Sequence, residues 1–198
     1  MNWREVRRAP LGAGKSQTQT RDDDDKLWVR CDSCQDILYR KDFEKNLNVC
    51  EKCGHHHPID PISRLDALMD EGYQLNKSAL WSSNPLDFTD TKPYAERLEK
   101  LQRKLGDQEA LIVAHGHICG VETHVAVFDY RFMGGSMGAV VGEKLAQMFL
   151  KAARLKQPAV VFSSSGGARM QEGIVSLLQM AKVCVALDQM KSTGVPMI

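Results

Sequence analysis

Val160-Val161-Phe162-Ser163-Ser164-Ser165-Gly166-Gly167-Ala168-Arg169-Met170-Gln171-Glu172-Gly173 reads as a strand, a Ser/Gly turn and the start of a helix. Val160 to Phe162 is a short apolar run after Pro158, and its β-branched residues suit a strand covered on both faces. Gly166 and Gly167 let the backbone turn sharply and leave its N–H groups uncovered. From Ala168 onward, Met170, Ile174, Leu177, Leu178 and Ala181 form an apolar face at helical spacing. Free N–H groups at a helix start, with no side chains in the way, make a seat for an anion or a developing oxyanion. The same pattern also serves a plain strand-to-helix turn.

A second glycine-rich entry precedes it. Gly134-Gly135-Ser136-Met137-Gly138 opens a helix predicted over about 136–156, with Val140, Val141, Leu145, Met148, Phe149, Ala152 and Leu155 on its buried side. Upstream, 110–118 and 121–130 read as strands joined by a tight hairpin at Cys119-Gly120, and Val195 to Ile198 reads as a further strand. A β-hairpin, helix, strand, helix, strand order is an α/β pattern with parallel crossovers. The two glycine-lined helix starts are expected at neighbouring strand ends, where such folds place ligands. His115, His117 and His124 read as ordinary sheet residues, and Cys119 and Cys184 as turn and core positions.

Cys31-x-x-Cys34 and Cys50-x-x-Cys53, fifteen residues apart, have the spacing of a four-cysteine zinc ribbon. Each pair forms a knuckle that presents two thiolates to one tetrahedral ion, and Gly54 eases the second turn. Four thiolates leave no open position for water, so the expected metal is structural. His55, His56 and His57 read as exposed loop histidines. From Lys26 to Asp60 there are six basic and six acidic residues, a balance without the electrostatic footprint of a nucleic-acid module.

Ser165-Gly166-Gly167-Ala168-Arg169-Met170-Gln171-Glu172 and Phe132-Met133-Gly134-Gly135-Ser136-Met137-Gly138 resemble the two motifs, in the same order, of biotin-dependent carboxyltransferases. With Cys31, Cys34, Cys50 and Cys53 they resemble the acetyl-CoA carboxylase carboxyltransferase β-subunit family of bacteria and plastids. The resemblance runs from about Leu27 to Ile198. It implies a crotonase-like superhelix of ββα units, incomplete here, preceded by the zinc ribbon. The implied reaction moves a carboxyl group from carboxybiotin on a carrier protein to acetyl-CoA, giving malonyl-CoA for fatty acid synthesis. Peptide N–H groups would hold the thioester oxygen as it becomes an enolate. Breakdown of carboxybiotin to CO2 and a biotin anion would supply the base, in keeping with the absence of an evident side-chain base or G-x-S-x-G nucleophile. On that reading Gly166, Gly167 and Ala168 line the thioester-oxygen pocket, and Gly134, Gly135 and Ser165 shape the substrate wall. Arg169 holds a loop or a phosphate, or serves a structural salt bridge. The implied partners are a carboxyltransferase α subunit in an α2β2 assembly, a biotin carboxyl carrier protein and, in the larger ATP-dependent complex, biotin carboxylase.

The rest of the chain bounds these readings. It has 198 residues, 43% hydrophobic and 26% charged, with a net charge of +1, which gives no support to a general nucleic-acid or membrane surface. No stretch is long and apolar enough to span a bilayer, no signal-peptide core opens the chain, and the paired cysteines suit the cytoplasm. Residues 1–26 read as a disordered tail. In it Gly12-Ala13-Gly14-Lys15-Ser16 lacks the first glycine of a phosphate-binding loop, and Asp22-Asp23-Asp24-Asp25-Lys26 looks like a protease-site scar. The expected organisation is a ribbon over 27–60, a helical linker region over 61–109 and the first part of the carboxyltransferase domain over 110–198. In the linker, 61–71 and 92–105 read as amphipathic helices around a loop anchored by Leu80, Trp81, Leu86 and Phe88. An apolar strand as the terminus looks like a cut, so the isolated chain is expected to be inactive, with apolar surface exposed. Two other readings compete: a zinc-ribbon nucleic-acid-binding or regulatory protein, with at most weak nucleic-acid binding, and another crotonase-fold acyl-CoA enzyme.

Overall fold

The computed structural model describes residues 27–106 and 109–198. The expectations for the N-terminal tail fall outside them. The described residues form two compact units, one ending at Pro58 and one starting at Ile59.

In the first unit, β1 (Trp28–Arg30) and β2 (Ile37–Tyr39) pair antiparallel, and α1 (Arg40–Lys45) follows. Its small core is Cys31, Leu38, Phe43 and Cys50. So few apolar residues cannot offset the ordering of a chain this short, which makes a metal staple the natural supplement.

The second unit opens with α2 (Pro61–Leu68). Asp60 caps it by accepting the Ile62 and Ser63 N–H groups at 3.1 Å, and Pro61 sits where its missing N–H costs nothing. The helix ends at Leu68, three residues short of the predicted end, because Met69 is already extended. Next come β3 (Gln74–Leu75), α3 (Tyr94–Leu105), β4 (Leu111–Ile118), β5 (Val121–Phe128), α4 (Ala139–Leu155), β6 (Ala159–Phe162) and α5 (Ile174–Lys191). The sheet order is β3-β4-β5-β6. The β4–β5 hairpin turns at Cys119 and Gly120, both at positive φ (51° and 79°). Asp70 accepts their two N–H groups at 3.2 and 2.8 Å and so fixes the turn.

After β5 the chain crosses over through α4 and returns as β6, parallel to β5 with Val127 opposite Phe162. That ββα unit positions the two glycine loops. Val195 to Ile198 does not form a full strand. Met197 makes one parallel bridge to Ala159, and Val161 N–H donates to the Ile198 carbonyl at 2.9 Å.

One core lies between the sheet and α4, with Val141, Leu145, Met148, Phe149 and Ala152 against Leu111, Val113, Ala126 and Phe128. Leu98, Leu101 and Leu105 of α3 pack against it. A second cluster joins Leu65 and Met69 to Ile112, Val125 and Val127 on the opposite face. Leu155, expected inside, is exposed in the last turn of α4. Of the loop anchors, Trp81 and Phe88 are half-buried, while Leu80 and Leu86 are exposed.

The side that α5 buries is not its apolar one. Ser176, Gln179, Ala186 and Met190 are its buried residues. Small and polar side chains serve there because α5 meets α4 at Gly142, where an added Cβ would come within 2.4 Å of the Gln179 side chain. The apolar face read from the sequence is the outer one: Met170 and Ile174 are each 63% exposed, Leu178 59% and Leu177 53%. Cys184, read as a core position, is also exposed. No helix among the described residues is long and apolar enough to cross a membrane.

Candidate functional site

Because β5 and β6 are parallel neighbours, the loops that follow them leave the sheet side by side. The first runs from Asp129 to Gly138 and enters α4; the second runs from Ser163 to Gly173 and enters α5. In the first, Met133, Gly134 and Gly135 all take positive φ (47°, 64° and 64°), a left-handed turn that two glycines make inexpensive. In the second, Gly167 stands at φ 113° with no atom near its missing Cβ.

Backbone hydrogen bonds join the two loops. Gly166 N–H donates to the Gly134 carbonyl at 2.8 Å, Met137 N–H to the Gly167 carbonyl at 2.8 Å, and Arg169 N–H to the Met137 carbonyl at 2.9 Å. The last two flank Ala168 in a parallel bridge with Met137. The N–H of Ala168 itself has no partner among the described residues, and Gly167 N–H donates only to the exposed Ser165 hydroxyl, at 3.1 Å. Ser163 to Gly167 are exposed. Adjacent N–H groups at a solvent-facing edge, one free and one on a hydroxyl that can turn away, can receive a carbonyl oxygen that gains negative charge.

Arg169 lies beneath, 1% exposed. Its Nε donates to Ser136 Oγ at 3.1 Å, Nη2 to the Ser136 carbonyl at 2.8 Å, and Nη1 to Ser82 Oγ at 2.6 Å and Glu172 Oε1 at 2.9 Å. Glu109 Oε2 stands 3.8 Å from Nη2. Tyr94 donates its hydroxyl to Glu172 Oε1 at 2.9 Å, and burial pushes that phenol up to about 12. The two carboxylates beside the loops are thus held by Arg169 and by backbone N–H groups. Neither is placed as a free base.

The sequence singled out Arg169 but passed over Ser82, Tyr94 and Glu109, and quoted Ser136 and Glu172 within the two motifs without giving them a role. Glu172, three residues after Arg169, carried a signal: opposite charges at that spacing meet on a helical turn. Tyr94 and Ser82 are distant in sequence from the loops, and only the fold brings them in.

In the ribbon, all four cysteine sulfurs lie within 4.8 Å of one another. Cys31 and Cys53 Sγ are 3.7 Å apart, as are Cys34 and Cys50 Sγ. Four sulfurs at about 2.3 Å from one zinc ion stand about 3.8 Å apart at tetrahedral angles, so the residues fit the metal. The distances are far beyond a disulfide. The two knuckles repeat one geometry. Gln35 N–H donates to the Cys31 carbonyl at 3.0 Å, and Gly54 N–H to the Cys50 carbonyl at 2.8 Å. Both Gln35 and Gly54 are left-handed, with φ 62° and 72°, so one knuckle makes the turn without glycine. His57 departs from the exposed-loop reading: its ring sits 3.4 Å from Cys31 Sγ and 3.3 Å from the Asp32 carboxylate, with an 8% exposed side chain.

Residues 73–198 match the carboxyl transferase domain family, and residues 28–53 match the acetyl-CoA carboxylase zinc finger domain family. An acetyl-coenzyme A carboxylase carboxyl transferase subunit beta from Pelobacter propionicus is 43% identical over 199 residues, taking in 100% of this chain and 69% of the relative. A Synechococcus protein of the same name is 45% identical over 179 residues, 90% of this chain and 57% of the relative. The chain therefore spans a little over half to about two thirds of the length of these curated relatives. Among solved structures, transcarboxylase 12S with methylmalonyl-coenzyme A and methylmalonic acid bound superposes with a TM-score of 0.50 at 27% identity, over 64% of this chain and 23% of that one.

Proposed function

The chain belongs to the family of acetyl-CoA carboxylase carboxyl transferase β subunits, and on that premise we propose that it carries part of a site that transfers a carboxyl group from carboxybiotin to acetyl-CoA, forming malonyl-CoA for fatty acid synthesis. The observation that carries this reading is the pair of glycine loops joined at Gly134–Gly166 and Met137–Gly167, with the Gly167 and Ala168 N–H groups at their open edge.

In the proposed site those two N–H groups receive the thioester oxygen as it takes on enolate charge, Gly167 exchanging the Ser165 hydroxyl for the substrate. Gly166 keeps its N–H on Gly134 and so serves by fixing the loop. Gly134 and Gly135 shape the wall along the CoA, and Ser165 lies at the mouth. Arg169 acts from below, on the loops rather than on substrate. Biotin, on a separate carrier protein, supplies the activated carboxyl group and the base, which suits a site whose own carboxylates are engaged. One structural zinc ion on Cys31, Cys34, Cys50 and Cys53 holds the ribbon. The ribbon's match to an acetyl-CoA carboxylase zinc finger speaks for this enzyme over a nucleic-acid module.

The proposed partners are a carboxyltransferase α subunit, the biotin carrier and biotin carboxylase, in the cytoplasm. The exposed apolar stripe of α5 supports assembly, since a patch of that kind marks an interaction surface. The test is malonyl-CoA formation from carboxybiotin carrier and acetyl-CoA by the β subunit assembled with its α subunit. Activity is expected from the assembly, and loss of activity in Gly167→Val. A Gly167→Val enzyme with undiminished turnover would remove the oxyanion assignment.

A further inference from the structure

Glu172 belongs to the second loop, yet one of its three side-chain partners stands where the first loop enters α4. Its Oε2 accepts the Ala139 N–H at 2.6 Å, at the first turn of α4, where a carboxylate also complements the helix dipole. Its Oε1 accepts Arg169 Nη1 at 2.9 Å and the Tyr94 hydroxyl at 2.9 Å. Arg169 grips the same loop at Ser136, through both the hydroxyl and the carbonyl, and its guanidinium lies over the Phe132 ring, 5.2 Å from the centroid. The pair fills the space above Gly138, where an added Cβ would fall 2.5 Å from Glu172 Oε1 and 2.8 Å from Arg169 Nη1. Glu172 is 1% exposed, as is Arg169.

From this geometry we propose that Glu172 is a positioning residue. Through Arg169 it clamps the first glycine loop, from Phe132 to Ala139, against the second, and so sets where the Gly167 and Ala168 N–H groups stand relative to the substrate wall. The proposal rests on the carboxyl-transfer reading for its consequence and on the contacts above for its geometry. Two charges this deep, each with several partners, hold one arrangement, because any shift of either loop strands a buried charge. Backbone bonds alone link the loops at Gly134–Gly166 and around Ala168. The clamp secures them at the far side, next to α4.

The test uses the full β chain assembled with its α subunit, comparing wild type with Glu172→Ala and Tyr94→Phe. The Tyr94→Phe substitution removes one hydroxyl, keeps the ring and is chosen as the variant that folds. In Glu172→Ala, kcat for carboxyl transfer is expected to fall about tenfold or more while KM for the CoA thioester stays within about twofold, as follows from misplaced catalytic donors on an otherwise intact binding surface. In Tyr94→Phe the fall is about threefold with the same split. Amide hydrogen exchange across 130–139 and 163–169 is expected to quicken in both loops together, with β4 and β5 unchanged. Unaltered exchange in both variants overturns the clamp, as does a rise in KM with kcat preserved. A wild-type assembly that transfers no carboxyl group would overturn the functional reading, and the exchange comparison would then decide the clamp by itself.

Discussion

Gly166 donates its N–H to the carbonyl of Gly134 across 2.8 Å, so the turn after β6 is built on the turn after β5. The carbonyl of Ser164 lies so close to Gly135 that an added Cβ would stand 2.0 Å from it. Gly135→Ala would therefore drive two backbones apart, besides placing alanine at φ 64°. Gly134 has the same φ but its nearest neighbour is the Tyr130 ring at 3.9 Å. The expected losses differ accordingly: about 1 kcal/mol for Gly134→Ala, from left-handed backbone alone, and about 3 kcal/mol for Gly135→Ala. Urea unfolding of the two variants checks this. Equal losses would mean that the loops are not in contact at Ser164.

Zinc removal makes a sharper prediction. Among the described residues, the buried ribbon core is Leu38 and Phe43 with two of the metal-ligand cysteines, Cys31 and Cys50, and Val29 and Cys34 pack against it. Structural zinc contributes on the order of 10 kcal/mol in small modules, more than such a core supplies. Cys50→Ser should cut bound zinc from one ion per chain to near none and unfold residues 27–58, read as lost amide dispersion in that unit. X-ray absorption on the wild type should give four sulfurs at about 2.3 Å. A nitrogen in the first shell would assign His57 as a ligand instead of a neighbour to Cys31.

The pH dependence of stability is expected to carry the mark of His124. Burial, then the neighbouring charge of His115, lowers this group from 6.5 to about 4, while Gln157 Oε1 accepts its Nε2–H at 2.9 Å. Between those pH values the unfolded chain binds the proton and the folded chain does not, so stability rises with pH through the window. The contribution is whole above about pH 6.5 and is lost as the pH falls toward 4. Between pH 7 and 5 that amounts to about 2 kcal/mol. Unfolding free energies at the two pH values should differ less, by about this amount, in His124→Gln than in the wild type. An unchanged difference would place the titration on another histidine.

How much of this was legible beforehand differs by element. The cysteine spacing alone specified the metal site, because four thiolates in two knuckles have one way to meet. The hairpin, the crossover and the adjacency of the two glycine loops follow from strand order and from the rule that parallel strands release their loops at one end. The support beneath the loops was hidden, since Ser82, Tyr94 and Glu109 reach Arg169 only through tertiary packing. The outer face of α5 was legible as apolar but not as exposed. Periodicity reports which residues share a face, and it is silent on whether that face meets this chain's core or another surface.

That outer face supplies the last prediction. Leu177 and Leu178 lie one turn beyond Ile174; the three are 53%, 59% and 63% exposed and face away from α4. Replacing Ile174 and Leu178 with serine removes little packing within the chain. The stability of the chain should therefore stay within about 0.5 kcal/mol of the wild type. The same pair should weaken assembly with the α subunit, seen in sedimentation as free β chain at concentrations where the wild type is fully assembled. Carboxyl transfer should fall with the assembled fraction rather than per assembled enzyme. A loss of stability well above 1 kcal/mol would show that the stripe is covered within this chain's own fold, and undiminished assembly would move the proposed interface off α5.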